Sequence, residues 1–168
     1  MNAIASDGIT TTLRALYRGE RDLAGDLAAA SERHRTEHEV HHVAKDLMTW
    51  SNEHCRRLAE VGTHYGLNLD APPTGPTAEV TAARREKPSE LLGRHLEPGL
   101  LLLHDLRDLH LSAAGNSLYW EMLAQAARAA RDERLLHLSS SCHPRTLRQM
   151  RWTNSLIKNL SPQILNSR

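Results

Sequence analysis

Apolar residues recur at three- and four-residue steps over long stretches of this chain, the spacing of one face of an α-helix. The first run sets Leu13, Leu16, Leu23 and Leu27 on one stripe and predicts a helix over 10–33. A second run, with Val40, Ala44, Leu47, Leu58 and Val61 inward, predicts a helix over 36–64. It opens on Thr36-Glu37-His38-Glu39, which reads as a capping box: the Thr36 hydroxyl covers an early amide and Glu39 reaches back. It closes at Tyr65-Gly66, where glycine can take the left-handed stop. The third run predicts a helix over 100–128 with Leu103, Leu106, Ala113 and Ser117 on its stripe. The fourth covers 132–160, starts on Asp132 as N-cap and carries Leu136, Leu147, Met150 and Ile157. Pro144 lies inside this last pattern and predicts a kink or local break, with fraying expected after Ser161-Pro162.

Residues 66–99 interrupt the periodicity. Asn68, Asp70, Pro72, Pro73, Gly75 and Pro76 cannot continue a helix. A short helix over 89–96 would close at Pro98-Gly99. The segment reads as a long crossover that brings the third helix alongside the first pair. The fold class expected is therefore all-α: a single-domain antiparallel four-helix bundle with one long connection. A chain of 168 residues is long enough to bury a core without staples. Its aromatic content of 4% and lack of Phe leave that core to Leu, Ala and Val. A formal net charge of +1 provides no global field to draw the chain onto nucleic acid or an anionic membrane. No apolar run reaches membrane-spanning length, no secretory signal is visible, and two cysteines make no disulfide framework, so a cytoplasmic location is expected.

Histidine changes the picture, since 11 residues are an excess of imidazole for a chain of this size. The two halves of the chain also align. Leu13, Leu16, Glu20 and Gly25 match Leu103, Leu106, His110 and Gly115 at an offset of 90 (110 against 20). Leu47, Ser51, His54 and Leu58 match Leu136, Ser140, His143 and Leu147 at an offset of 89 (143 against 54). On these stripes each helix sends one titratable group inward: Glu20, His54, His110 and His143. Burying such groups is costly unless they are paired or bind something.

The arrangement resembles the ferritin-like superfamily over about residues 10–160. Members of that superfamily are four-helix bundles with di-iron or di-manganese sites, built from a Glu on two helices and a Glu-x-x-His pair on the other two. The resemblance implies that Glu20 matches the first-helix glutamate and that His54 and His143 match the two histidines. The pattern departs at His110, which stands where a glutamate belongs, and at Ser51 and Ser140, which replace both Glu-x-x-His glutamates. Three of four carboxylates are thus missing, which disfavours a working dinuclear oxidase.

Two readings follow. In the first, Glu20, His54, His110 and His143 hold one transition-metal ion (Fe, Mn or Zn) with an open position for oxygen, peroxide or a small ligand. In the second, the histidines hydrogen-bond to Glu20, Ser51 and Ser140, and the bundle is a metal-free helical scaffold that self-associates or binds a protein partner. A homodimer is expected from apolar residues off the main stripes, among them Leu100, Leu101, Leu118 and Tyr119. His34, His38, His41 and His42 gather at the first corner, where with Glu37 and Glu39 nearby they read as a solvated polar face or, alternatively, an adventitious surface metal site. Cys55 and Cys142 read as small core residues, and the scattered arginines read as solvated surface.

Overall fold

The computed structural model describes residues 3–72 and 96–167, with side chains from residue 7 onward. Among the described residues four long helices form: α1 (Ala3–Arg33), α2 (His38–Gly62), α3 (Pro98–Ala130) and α4 (Glu133–Leu165), with a 3-10 turn (Thr63–Tyr65) after α2. No strand occurs among the described residues. α1 begins well before residue 10; within it Thr10 donates to the Asp7 carbonyl at 3.0 Å and Thr12 to that of Gly8 at 2.8 Å. The capping box expected at Thr36 does not form. Glu37 is the N-cap of α2, and no side chain bonds across the cap. Gly66 takes the left-handed stop at φ 72°. Pro98 opens α3 at a position where a missing N–H costs nothing. Asp132 caps α4 by accepting from the Leu135 amide at 3.0 Å, as the sequence predicts.

Pro144 neither breaks α4 nor ends it: the helix runs unbroken from 133 to 165, through Pro162 as well. A proline deprives the carbonyl four residues earlier of its donor. For Pro144 that carbonyl belongs to Ser140, and both residues are exposed, so water can replace the lost bond.

Side-chain contacts set the topology. Ser31 meets His41, and Glu20 meets His54, so α1 and α2 are antiparallel. Glu20 meets Trp120 and Arg33 meets Asp105, which makes α1 and α3 antiparallel too. Gln149 reaches Ser51, and Tyr65 reaches Asp132, pairing α2 with α4 in opposite senses. Ser117 meets His143, and His110 meets Thr153, which does the same for α3 and α4. It follows that α2 and α3 run parallel, and the two ends of their connection lie at opposite ends of the bundle. The crossover expected over 66–99 falls largely on residues 73–95, outside the described residues.

The core is three apolar clusters stacked along the bundle. One end holds Leu13, Leu16, Leu58, Trp120, Leu123, Leu135 and Leu138. The middle holds Leu23, Leu27, Leu47, Leu109 and Ala113. The far end holds Val40, Leu102, Leu106 and Leu156. α1 and α2 bury the faces expected of them. α4 does not: its inward stripe is Leu135, Leu138, Ser139, Cys142, Thr146, Gln149, Thr153 and Leu156, one residue away from the stripe through 136, 140, 143, 147 and 150. One residue is a rotation of roughly 100°, and it leaves Leu147 42% exposed. α3 buries Leu106 and Ala113 as expected, but Leu102, Leu109, Asn116 and Trp120 instead of Leu103, His110 and Ser117.

Candidate functional site

One polar layer separates the first apolar cluster from the middle one, and a second polar group lies beside the far cluster. The inner one is built where Glu20 interrupts the leucines of α1. Glu20, His54, Ser51 and Thr146 are fully buried, with Gln149 and Asn116 nearly so. A carboxyl group with no solvent must find its partners in the protein. The Trp120 indole N–H donates to Glu20 Oε1 at 3.0 Å, and the Thr146 hydroxyl donates to the same oxygen at 3.5 Å. His54 Nδ1 lies 3.1 Å from that oxygen as well. That approach is a polar contact at a poor angle rather than an aligned hydrogen bond, since neither ring nitrogen of His54 meets the bond geometry. The His54 ring stands edge-on to Trp120, centroids 5.6 Å apart and planes at 78°.

One turn along, the Gln149 amide donates to Ser51 Oγ at 2.9 Å and to the Leu47 carbonyl at 3.2 Å. Glu20 Oε2, His54 Nε2, Gln149 Oε1 and Asn116 Nδ2 are buried without a hydrogen-bond partner. Close packing of α1 on α3 completes the layer. A Cβ on Gly19 would lie 2.2 Å from Asn116 Oδ1, so only glycine fits that crossing as it stands.

The layer predicted from the sequence thus assembles in half. Glu20 and His54 meet; His110 and His143 do not join them. Both are only half-buried and lie in the seam between α3 and α4. His110 Nδ1 sits 2.9 Å from Thr153 Oγ1 and 3.2 Å from the Met150 carbonyl. His143 Nε2 sits 2.8 Å from Ser117 Oγ, and its Nδ1 is 3.9 Å from Glu121 Oε2. For His143 the cause is the rotation of α4, which turns position 143 out of the core and position 142 into it; for His110 it is the face of α3, which buries Leu109 in its place. Among the described residues, no three His, Cys, Asp or Glu side chains are arranged to hold a metal ion. Two donors, Glu20 Oε2 and His54 Nε2, fall short of the three or four protein ligands of a metal centre in a bundle core, and the predicted set does not fit one.

The cysteines offer no nucleophile. Burial pushes the Cys55 thiol up to about 12, with the Glu20 carboxyl adding to it. Burial likewise pushes Cys142 up to about 11, against the pull of the Arg57 guanidinium. Neither is a thiolate near neutral pH.

The second polar group, which the sequence reading missed, lies at the far end, where Asp105 stands between Leu102 and Leu106 of the far cluster. Asp105 and His34 are each 5% exposed. The Arg33 guanidinium donates to both Asp105 oxygens at 2.7 Å, and His34 Nε2 is 2.6 Å from Asp105 Oδ2. Burial raises the Asp105 carboxyl, but the bonds from His34 and Arg33 outweigh it and hold the group below its usual range. A buried acid on the stripe through Leu102, Leu106 and Leu109, facing a histidine at the end of α1, was the available signal.

Compared with known proteins, the chain matches no family model, no curated protein and no solved structure.

Proposed function

We propose that this chain is a ferritin-like bundle whose polar core is structural and metal-free, and that it acts as a self-associating helical scaffold. The observation that carries the reading is the dispersal of the four candidate ligands among separate partners. Glu20 turns Oε1 to Trp120, Thr146 and His54, while His110 and His143 are held by hydroxyls and a carbonyl in the α3–α4 seam. The parallel course of α2 and α3, which a bundle with one long crossover requires, supports the ferritin-like assignment.

The outward face of α3 supports self-association. Leu111, Leu118 and Met122 are 53%, 62% and 54% exposed, with exposed Gly115 between them. A second copy crossing antiparallel at Gly115 sets Leu111 of one chain against Leu118 of the other. The same crossing brings Arg107 of each chain beside Glu121 of its mate, so the charges flanking the stripe complement a copy of themselves. Gly115 has open space in front of its Cβ position, which lets the two helices approach closely.

Melting wild type and Glu20→Gln, each with and without chelator, tests the core. In a metal-free core the wild-type Tm ignores the chelator. Glu20→Gln is destabilised equally in both conditions, because the indole N–H and the imidazole then face an amide in a site without water. A wild type that loses stability to chelator, and a mutant that no longer responds to it, would put an ion on Glu20 and overturn the reading.

A further inference from the structure

The imidazoles at the start of α2 are far from the buried layer and have a geometry of their own. His38 and His42 are one helical turn apart on one exposed face. Their ring centroids are 5.0 Å apart, with planes tilted by 39°. Histidines at i and i+4 are the spacing at which a helix delivers two imidazoles to one ion. With metal–nitrogen bonds of about 2.0–2.1 Å and ring centres roughly 1.1 Å behind the nitrogens, rings sharing one ion at about 90–110° have centroids roughly 4.5–5.2 Å apart. The observed separation falls within that range without any movement of the backbone.

The neighbours define the site further. His41 is excluded as a ligand because both its nitrogens are engaged: Nδ1 lies 2.9 Å from the Ser31 carbonyl, and Nε2 lies 3.2 Å from Lys45 Nζ. Its ring stands edge-on to His42 at 5.0 Å, a fixed wall against which His42 rests. No hydrogen bond among the described residues claims a nitrogen of His38 or His42. Electrostatics pull both ways. The positive end of the α2 dipole and the Lys45 ammonium oppose a cation, while Glu37, Glu39 and Asp46 are exposed carboxylates within four residues of the pair along the chain. Asp46 is one turn beyond His42 on the same face.

We infer that His38 and His42 form a two-imidazole chelate for a divalent transition-metal ion, with water completing the shell. The site is independent of the metal-free reading of the core. Two neutral nitrogens and no thiolate favour Cu²⁺ over Zn²⁺ in the usual order for such ligands.

The test is calorimetric titration of the full chain, made without a histidine tag and stripped with chelator, against Cu²⁺ and Zn²⁺. Wild type is expected to take one ion per chain at this site, Cu²⁺ the more tightly. His38→Ala and His42→Ala should each weaken that binding at least tenfold, while Glu20→Gln leaves it unchanged. Both positions are exposed, so circular dichroism should show the fold intact. A His38→Ala/His42→Ala protein that binds as tightly as wild type would overturn the inference. That result would point to other imidazoles, such as His64 and His137, which line a separate groove of about 210 Å³ between α2 and α4. A wild type that binds neither ion would overturn it equally. Binding lost only in Glu20→Gln would place the ion in the core and overturn both this inference and the metal-free reading.

Discussion

Asp105 illustrates how a single side chain ties two helices together. It takes both bonds of the Arg33 guanidinium and faces the buried His34, so α1 ends on a charged clasp to α3. Replacing it with Asn leaves the Arg33 guanidinium without its counter-charge and the buried His34 ring without the carboxylate it faces, and should cost about 2–4 kcal/mol by chemical denaturation at pH 7. The pH dependence follows from the depressed carboxyl. A group held below its usual range stabilises the fold fully above the ordinary carboxyl pKa of about 3.9, and that contribution is lost as pH falls through the lower folded value. Acid should therefore erode wild-type stability below about pH 4, and Asp105→Asn should lack that component. Gly19 makes a steric counterpart. Alanine there gains about 1 kcal/mol of helix propensity, but its Cβ meets the buried Asn116 amide. Gly19→Ala should be destabilising alone and close to neutral or better combined with Asn116→Ala, a non-additivity that a double-mutant cycle measures.

Among the elements, α4 separates what the pattern reveals from what it hides. α1 and α2 were legible because their buried faces are leucine, alanine and valine at regular steps, and Glu20 and His54 stand plainly within those steps. In α4 the buried stripe is mostly hydroxyl, thiol and amide, flanked by exposed or half-exposed Leu136, Leu147, Met150 and Ile157. An apolar count then selects the wrong face. The polar stripe is tolerated because its hydroxyls are satisfied: Ser139 donates to the Leu135 carbonyl at 3.0 Å and Thr153 to that of Gln149 at 3.2 Å on their own helix, and Thr146 donates across to Glu20. The repeat offsets carried the error into the site, since aligning His143 with His54 presumes that both face inward. Trp120 lies off the expected α3 stripe, yet it is the donor that fixes the buried carboxyl. The rotation is checkable. Leu147→Gln should change stability by less than about 0.5 kcal/mol, whereas Leu138→Ala should cost about 2–5 kcal/mol. Comparable losses at the two positions would restore the original face.

For the whole molecule, the arrangement of surfaces matters more than any one contact. No helix among the described residues is long and apolar enough to cross a membrane. The tryptophans lie inward: Trp120 is fully buried, and Trp50 and Trp152 pack against the middle cluster. The exposed apolar stripe is instead Leu111, Leu118 and Met122 on α3. Leu118→Glu places two like charges near the crossing of the proposed dimer and alters nothing buried in one bundle. Sedimentation at tens of micromolar should show wild type as a dimer and Leu118→Glu as a monomer with an unchanged helical spectrum. A wild type that sediments as a monomer would remove self-association from the proposal.

The parallel course of α2 and α3 has a mechanical consequence. The first turn of α1 lies at the end of the bundle where α4 begins, and the last turn of α4 lies at the other end, where Ile164 packs over Gly99. Across 33 residues of α4, those attachment points are about 50 Å apart along the helix axes. Tension applied before α1 and after α4 would therefore load the helix interfaces lengthwise, in shear, so that many side-chain contacts must slip together. An up-and-down bundle with both attachments at one end would peel open helix by helix under the same load.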